Sequence, residues 1–287
     1  MSLPAKPAIR RDFFLNFSIF FQNSLKKSQK IVNYLYLIGV RNFESKGRFG
    51  KNSFWFSVFI GASFRCLRCF AISILLPLCP KCALELQNFV PLNSPQRCSK
   101  CGKLLVSEME ICMECREREG ESSLDALFPI HSYRQWKKEL AFAWKSEGQR
   151  RLSPLLARLL FKALKELGLE KTPLVPVPPR PGKIKEKGWD QVEELASILE
   201  KKRGILVRRD ILERKSGGQQ KKLGRDERLG AAGAVYDLLP AFTGSVPPEV
   251  VLLDDIVTTG ATMEKCAWLL KAAGAQKVYG LALFRVG

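Results

Sequence analysis

Four C-x-x-C pairs, following one another along the chain, constrain this sequence more than any other feature. The pairs are Cys66-Cys69, Cys79-Cys82, Cys98-Cys101 and Cys112-Cys115. They form one unit, C-x2-C-x9–10-C-x2-C, that occurs twice. Two thiolates on one tight turn can both reach a tetrahedral Zn2+, and a second such turn completes the site. Because a site closed by four thiolates has no open position, the repeat predicts a double zinc ribbon over residues 66–120 with two structural zinc ions.

Other assignments of these cysteines stay open on the sequence alone. A disulfide framework requires an oxidising compartment and usually a secretory signal. An iron–sulfur cluster is also compatible with four thiolates, although the regular double repeat favours zinc. Each unit is expected to close on its own metal ion, with a cross-braced pairing as the alternative. The ninth cysteine, Cys266, is expected to be a small buried residue inside a helix.

The net charge of the chain indicates which classes of binding partner are favoured. The chain of 287 residues has 47 Lys and Arg against 28 Asp and Glu, a formal net charge of +19. Such an excess favours polyanionic partners, either nucleic acids or phosphorylated metabolites. With one histidine in the chain, a His-rich metal centre or a His-dependent catalytic triad is nearly excluded, and His131 is expected to be structural.

Residues 1–65 are basic and rich in phenylalanine, and no function is assigned to them. Arg10 and Arg11 begin a stretch that resembles a twin-arginine export signal, but no small-residue cleavage site follows where one is needed. The apolar stretch from Phe54 to Phe64 has 11 residues, whereas a helix that spans a bilayer needs about 20. The sequence therefore predicts no transmembrane span and a cytoplasmic protein.

Residues 129–287 alternate between helical and strand-like segments, which predicts an α/β domain with a mainly parallel sheet. The predicted helices run from Ser153 to Gly168, from Trp189 to Arg203 and from Thr262 to Ala273. The predicted strands cover Leu174–Pro178, Val250–Leu253 and Val278–Val286. The second of these strands is a continuous apolar run, as a parallel strand buried on both faces requires.

The segment VVLLDDIVTTGAT, residues 250–262, carries the most chemistry. Its buried strand leads to two adjacent carboxylates, Asp254 and Asp255, and a short Thr/Gly loop then opens a helix. Backbone N–H groups at the start of a helix can hold a phosphate, and the carboxylates can accept hydrogen bonds from an attached sugar. The residues of this phosphate cradle are Thr258, Thr259, Gly260, Ala261 and Thr262.

This segment resembles the phosphoribosyl-pyrophosphate loop of the type I phosphoribosyltransferases. With the cysteine units ahead of it, the chain resembles the ComF-type, competence-associated, phosphoribosyltransferase-like proteins, roughly from Cys66 to Gly287. Further landmarks of the family recur in order. They are Tyr133, Lys145, Gly148, the strand Val175-Pro176-Val177-Pro178, the motif Lys187-Gly188-Trp189-Asp190-Gln191, Gln219 or Gln220, and Glu227-Arg228.

The resemblance implies a phosphoribosyltransferase-like domain that binds phosphoribosyl pyrophosphate, or another phosphorylated ribose, together with Mg2+. Asp254 and Asp255 would hold the ribose 2′ and 3′ hydroxyls, and Thr258–Thr262 would hold the 5′-phosphate. The loop Pro179–Gly182 falls where relatives bind pyrophosphate. The family also implies a link to DNA uptake and natural competence, with DNA-uptake proteins as partners.

Whether the chain catalyses a reaction stays open. If it does, an incoming nucleophile would displace pyrophosphate from C1 of the ribose, a reaction that needs charge stabilisation more than a strong base. The candidates to neutralise the leaving group are Arg180, Lys183 and Lys185. The family motif R-G-F-N-Q appears here as KGWDQ, and Ala231 replaces an Asn. These changes leave the phosphate cradle intact but alter the expected mobile lid, Gly217–Arg228.

The alternative is a non-catalytic protein that keeps the phosphate cradle and binds single-stranded DNA or assembles with other proteins. The basic clusters that would supply the charge are Lys201-Lys202-Arg203, Arg208-Arg209 and Lys221-Lys222 with Arg225. Trp136, Trp144 and Trp189 are candidate platforms for stacked bases. Because large aromatic side chains are mostly buried, a place in the core is favoured for all three.

Overall fold

The computed structural model describes residues 63–74, 76–117, 122–215 and 235–287. All of them belong to one unit of the chain, Phe54–Gly287. The phenylalanine-rich extension lies almost entirely outside the described residues, and the expected lid Gly217–Arg228 lies entirely outside them. The predictions about those two segments therefore stay predictions.

Short elements frame the cysteine units, and longer elements follow. In the cysteine-rich part they are β1 (Ser63–Arg65), β2 (Ile72–Ile74), α1 (Pro80–Leu86) and α2 (Met113–Arg116). The next are β3 (Ala126–Ser132), α3 (Trp136–Lys145), α4 (Ser153–Glu166), β4 (Leu174–Pro176), α5 (Lys183–Lys187) and α6 (Gln191–Arg203). The last are β5 (Leu212–Arg214), β6 (Tyr236–Leu238), β7 (Glu249–Val257), α7 (Ala261–Ala272) and β8 (Lys277–Arg285).

Four strands form a parallel sheet in the order β3-β8-β7-β4. Its central strand β7 contains the run Val250–Leu253, and all four side chains are fully buried. Such burial on both faces is what helices on each side of a parallel sheet produce. The predicted α/β class with a parallel sheet is confirmed. The strands β5 and β6 pair separately in an antiparallel two-stranded sheet.

Helices cover the two faces of the sheet. Val250 and Leu252 pack with Met263 and Cys266 of α7, so that face of β7 looks toward α7. Alternate residues of a strand point to opposite faces, and α4 and α6 cover the other side, where they also pack on each other. The apolar spacing of α4 predicts one buried stripe, made of Leu155, Leu156, Leu159, Leu160, Ala163, Leu164 and Leu167. The first six are at most 1% exposed, whereas Leu167 is half-buried. Cys266 is fully buried in α7, as predicted.

Several boundaries differ from the prediction, among them the end of β4 at Pro176 instead of Pro178, and two of the differences bear on the site. The strand predicted to end at Leu253 continues to Val257, so the two aspartates lie within β7 rather than beyond it. The helix predicted from Trp189 begins at Gln191, because Gly188 adopts a left-handed conformation (φ 74°) and Asp190 caps the helix. The Asp190 Oδ1 atom accepts a hydrogen bond from the Glu193 backbone N–H at 3.0 Å.

Arg97 joins the cysteine units to the sheet. The side chain is 5% exposed, and among the described residues its guanidinium donates hydrogen bonds only to main-chain carbonyls. The acceptors are Val90, Pro91, Gly102, Pro129 and Ile130, at 2.7–3.3 Å. His131 adds a contact between its Nε2 and the carbonyl oxygen of Leu86 at 2.8 Å, in keeping with the predicted structural role. Burial is the main cause that lowers the pKa of His131 to about 4.

Candidate functional site

The phosphate cradle predicted from the sequence lies at the edge where the parallel strands end. The loop Thr258–Gly260 connects β7 to α7, and Gly260 caps that helix with φ 84°. Thr258 and Thr259 are exposed, and the residues Gly260–Thr262 are half-buried. Because carboxyl ends of parallel strands share one edge, the loop after β4 that contains Pro179–Gly182 lies at the same edge. This is the place where ligands of α/β sheets usually bind.

The two aspartates of β7 leave the sheet on opposite faces. Neighbouring residues of a strand point to opposite sides, so Asp254 lies on the α7 side, where its charge acts on Cys266. Asp255 is 5% exposed and lies on the other side. There Lys145 of α3 places its Nζ 2.8 Å from Oδ1 and 2.7 Å from Oδ2 of Asp255. The prediction that both carboxylates reach one sugar stays a prediction.

The surroundings of Asp254 disfavour the ionised form of its carboxyl group. Burial, followed by the negative charge of Asp255, raises the pKa of Asp254 to about 7. Its Oδ1 accepts a hydrogen bond of 2.7 Å from the Asp255 backbone N–H, which offsets part of that cost. A carboxyl with a strongly raised pKa at a ligand edge is a typical feature of a functional site.

A polar network links this pair to the loop after β4. The Gln191 Nε2 donates to the Lys145 carbonyl oxygen at 2.9 Å. Lys183 donates to both Asp190 and Gln191, whose side chains are buried. The family motif at residues 187–191 thus holds the start of α6 against the end of α3. Sequence reasoning named the motif but missed this role, for which the capping pattern Asp190-x-x-Glu193 was the available signal.

The three cations suggested for the pyrophosphate have different environments. Arg180 forms an exposed ion pair with Glu186 in the same loop. Lys183 is paired with buried Asp190. Lys185 is exposed and has no ion-pair partner among the described residues. Arg180 and Lys183 would therefore have to exchange a protein carboxylate for a phosphate oxygen, whereas Lys185 would not.

The basic track predicted for DNA is partly neutralised by ion pairs. Arg208 pairs with Asp210, and Arg209 pairs with both Glu193 and Glu200. Lys201 and Lys202 are exposed. A cation already paired with a carboxylate contributes less to phosphate binding, so this surface offers fewer contacts to DNA than its sequence predicts.

The predicted core position is confirmed for Trp144 and not for the other two tryptophans, Trp136 and Trp189. Trp144 is fully buried, and its indole N–H donates to the Ser153 hydroxyl at 2.9 Å. Trp189 is half-buried, with its ring centroid 6.2 Å from that of Trp144. Trp136 is also half-buried, and the Arg68 guanidinium lies 5.1 Å from its ring centroid.

The eight paired cysteines form two clusters that could each hold a metal ion. The first contains Cys66, Cys69, Cys79 and Cys82, and the second contains Cys98, Cys101, Cys112 and Cys115. Within each cluster the sulfur atoms lie within 4.8 Å of one another, and all nine cysteines of the chain are free thiols. Tetrahedral Zn–S bonds near 2.3 Å place sulfur atoms about 3.8 Å apart, so this donor set fits zinc. The sequential pairing is confirmed, and the cross-braced alternative is wrong.

The two clusters have the same backbone conformation around their cysteines. In each unit the residue after the second cysteine has a positive φ, 59° at Phe70 and 66° at Gly102. Its backbone N–H donates to the carbonyl oxygen of the first cysteine of the unit, at 2.9 Å for Cys66 and 2.8 Å for Cys98. The third cysteine of each unit then caps a short helix, α1 or α2. The internal repeat of the sequence is therefore a repeat of structure.

The first cysteine of each unit has a lowered pKa, which favours its thiolate form. Burial raises the pKa of Cys66, but hydrogen bonds from the backbone of Cys79, Cys69 and Arg68 outweigh it and lower the pKa to about 6. The same balance, with backbone donors that include Cys112, lowers the pKa of Cys98 to about 7. Since metal ligands must lose their protons, these two thiols are expected to bind first.

Phe70 and Gly102 allow a matched test of the two turns. A Cβ added at Gly102 would lie 2.3 Å from the Leu127 carbonyl oxygen and 2.4 Å from Cδ of Pro129. Together with the positive φ, this clash should make Gly102→Ala cost about 2–4 kcal/mol in the free energy of unfolding. Phe70→Gly should cost nothing or stabilise the turn by up to about 1 kcal/mol, because it relieves a left-handed phenylalanine. Urea unfolding measures the free energy of unfolding of both variants. A loss in Phe70→Gly as large as that in Gly102→Ala would contradict this expectation.

The fold and the site together define an α/β protein with a Thr/Gly loop at the carboxyl edge of its parallel sheet and a cysteine-rich module that could hold metal ions. The chain belongs to the ComF family of competence proteins. It is 30% identical over 195 residues to "Competence protein ComFC" of Streptococcus pneumoniae (strain ATCC BAA-255 / R6), which covers 66% of this chain and 81% of that protein. It is 26% identical over 231 residues to "Competence protein F" of Haemophilus influenzae (strain ATCC 51907 / DSM 11121 / KW20 / Rd), which covers 77% of this chain and 97% of that protein. No protein-family model matches the sequence.

A membrane-spanning helix is not found in the parts of the chain that the structure describes, where none of the helices is both long and apolar enough to cross a bilayer.

Proposed function

We propose that this protein binds phosphoribosyl pyrophosphate, or another phosphorylated ribose, at the carboxyl edge of its sheet. The observation that carries the proposal is the junction of β7 and α7. A buried strand bearing two aspartates leads through Thr258–Gly260 into a helix of 12 residues. The free N–H groups and the dipole of such a helix attract a phosphate, and carboxyl groups in the same strand can bind hydroxyls of the attached sugar.

Mg2+ is part of this proposal because phosphate ligands usually arrive with it. Carboxylate oxygens are suitable ligands for this ion, and Asp254 and Asp255 supply them at the end of β7. When bound, Mg2+ would neutralise part of the negative charge of the pyrophosphate. Lys185, exposed and free of an ion pair among the described residues, is the cation best placed to add to that neutralisation.

The process served is natural competence, as the names of the two relatives suggest. We place the protein in the cytoplasm, where reduced thiols are stable, with DNA-uptake proteins as its partners. Each four-cysteine cluster would hold one structural zinc ion there. The ion pairs of Arg208 and Arg209 give single-stranded DNA less support as a direct ligand than the phosphorylated ribose has.

Isothermal titration with phosphoribosyl pyrophosphate, with and without Mg2+, tests the proposal. We expect binding that Mg2+ strengthens. The double variant Asp254→Asn/Asp255→Asn should weaken it at least tenfold, about 1.4 kcal/mol or more. Affinity for inorganic phosphate should fall much less, because the loop Thr258–Gly260 is unchanged.

The control is the surface variant Lys201→Gln/Lys202→Gln, whose affinity should equal that of the wild type. An equal loss of both ligands in the aspartate variant would mean that the pair is structural. No heat of binding for either ligand would contradict the proposal. Release of pyrophosphate during the titration, in the presence of an acceptor, would add an enzymatic activity to the binding.

A further inference from the structure

Arg285, the last residue of β8, is a buried cation beside the second cysteine cluster. Its side chain is 4% exposed, and its Nη2 lies 3.5 Å from Oε2 of Glu114, the residue between Cys112 and Cys115 in α2. Arg285 also lines a small cavity with Gly102 and Lys103, which directly follow Cys101. The guanidinium therefore approaches both cysteine pairs of this cluster.

The guanidinium is poorly neutralised by its protein contacts. Among the described residues, no hydrogen-bond acceptor contacts its Nε. The contact with Glu114 is at the outer limit of a hydrogen bond. That carboxylate is half-exposed, and it also binds Lys103 at 3.2 Å. Since a buried charge without a close counter-charge costs several kcal/mol, a further anion is expected near Arg285.

We propose that Arg285 is the charge partner of the second four-cysteine cluster and stabilises its metal-bound form. Four thiolates around one Zn2+ ion carry a net charge of about −2, the counter-charge that this guanidinium lacks. The contact of Arg285 with Glu114 and its position beside Gly102 and Lys103 place it next to this cluster. Outer contacts of this kind tune metal sites in general. The inference rests on the zinc occupancy proposed above.

The first cluster provides an internal control. The cavity that Arg285 lines is bordered by Gly102 and Lys103 of the second unit and by no residue of the first unit, residues 66–82. A substitution at Arg285 should therefore change the metal affinity of the second cluster and leave that of the first cluster unchanged.

The test loads the full-length protein with 113Cd2+ and follows the two four-thiolate resonances by NMR while a chelator is added. Glu114→Gln identifies the second cluster by the resonance that shifts. We expect Arg285→Met, which removes the charge, to release cadmium from that cluster at a chelator concentration about 10–100 times lower than in the wild type. Arg285→Lys, which keeps the charge, should stay close to the wild type.

Glu114→Gln is also the decisive control, and it does not depend on Arg285→Met being folded. This variant removes the only carboxylate that Arg285 contacts among the described residues. If the thiolates are the real partner, cadmium retention should equal or exceed that of the wild type. Loss of cadmium from the second cluster in Glu114→Gln would mean that Arg285 acts through Glu114. In Arg285→Met, an equal loss of cadmium from both clusters, or a loss from neither, would also overturn the inference. A wild-type protein that binds no metal would instead contradict the zinc proposal.

Discussion

At pH 8 the Asp254→Asn protein should unfold at a higher temperature than the wild type, although it should lose affinity for the sugar phosphate. The pKa of Asp254 is about 7 in the folded protein and about 4 in the unfolded chain. Below pH 4 both states are protonated and the residue costs nothing. Between pH 4 and pH 7 the unfolded chain is ionised while the folded protein keeps the proton, so stability falls over this window and the loss is complete above pH 7. One pKa unit corresponds to about 1.4 kcal/mol, so the gain from Asn is at most about 4 kcal/mol above pH 7.

Thermal unfolding between pH 4 and pH 8 measures this effect. The difference between variant and wild type should vanish near pH 4 and reach its full value above pH 7. The asparagine oxygen can still accept the hydrogen bond from the Asp255 N–H, so the backbone contact is kept. A variant that is less stable than the wild type at pH 8 would show that the carboxylate serves the fold.

Asp255→Asn is the matched control and should have the opposite sign. Its carboxylate is 7% exposed and is paired with Lys145. Removing the charge leaves a partly buried ammonium group without its partner, at a cost of about 1–3 kcal/mol. If Asp254 lowers the stability of the fold and Asp255 raises it, Asp254 is retained for ligand binding rather than for stability.

Stripping the metal from the cysteine clusters should lower the melting temperature by about 10 °C or more. Structural zinc contributes about 10–16 kcal/mol of apparent binding energy in isolated zinc-finger peptides. In a domain of this size about 1 kcal/mol corresponds to 2–4 °C, so even partial loss gives a large shift. The loss should reach the sheet, because Gly102 packs against β3 and Arg97 binds its carbonyls.

Elemental analysis of protein purified without chelator should give close to two zinc ions per chain and little iron. Cys98→Ser should reproduce the effect of the chelator. Cys266→Ala, which removes a buried thiol outside the clusters, should keep both metals. Complete removal of metal without any change in melting temperature would contradict a structural role. One metal per chain would mean that one unit is vestigial, and the first, with its left-handed Phe70, would be suspected.

The sequence was most informative where the chemistry is local. Two cysteines three residues apart define a turn by themselves, and the two units repeat it, so the clusters and their pairing could be predicted. The buried run Val250–Leu253 likewise identified the central strand. Each cysteine unit spans 17 or 18 residues and the apolar run spans four, so both patterns are local in the sequence.

The polar network could not be predicted, because its partners are distant in the chain. Lys145 and Asp255 are 110 residues apart, and no spacing rule connects them. The length of β7 was also missed, since aspartate is depleted in strands and the pair reads as the end of one. The sequence therefore did not indicate that Asp254 and Asp255 lie on opposite faces of a strand.

The joint made by Arg97 has a consequence for how the protein can evolve. Every acceptor of its guanidinium is a main-chain carbonyl, which every amino acid carries. Mutations at Val90, Pro91 or Ile130 can therefore change the side chain without removing the contact. The arginine itself has no substitute, because lysine lacks the planar set of five N–H donors. In this part of the attachment of the cysteine-rich module to the sheet, the identity of the arginine therefore matters more than the identity of those three neighbours.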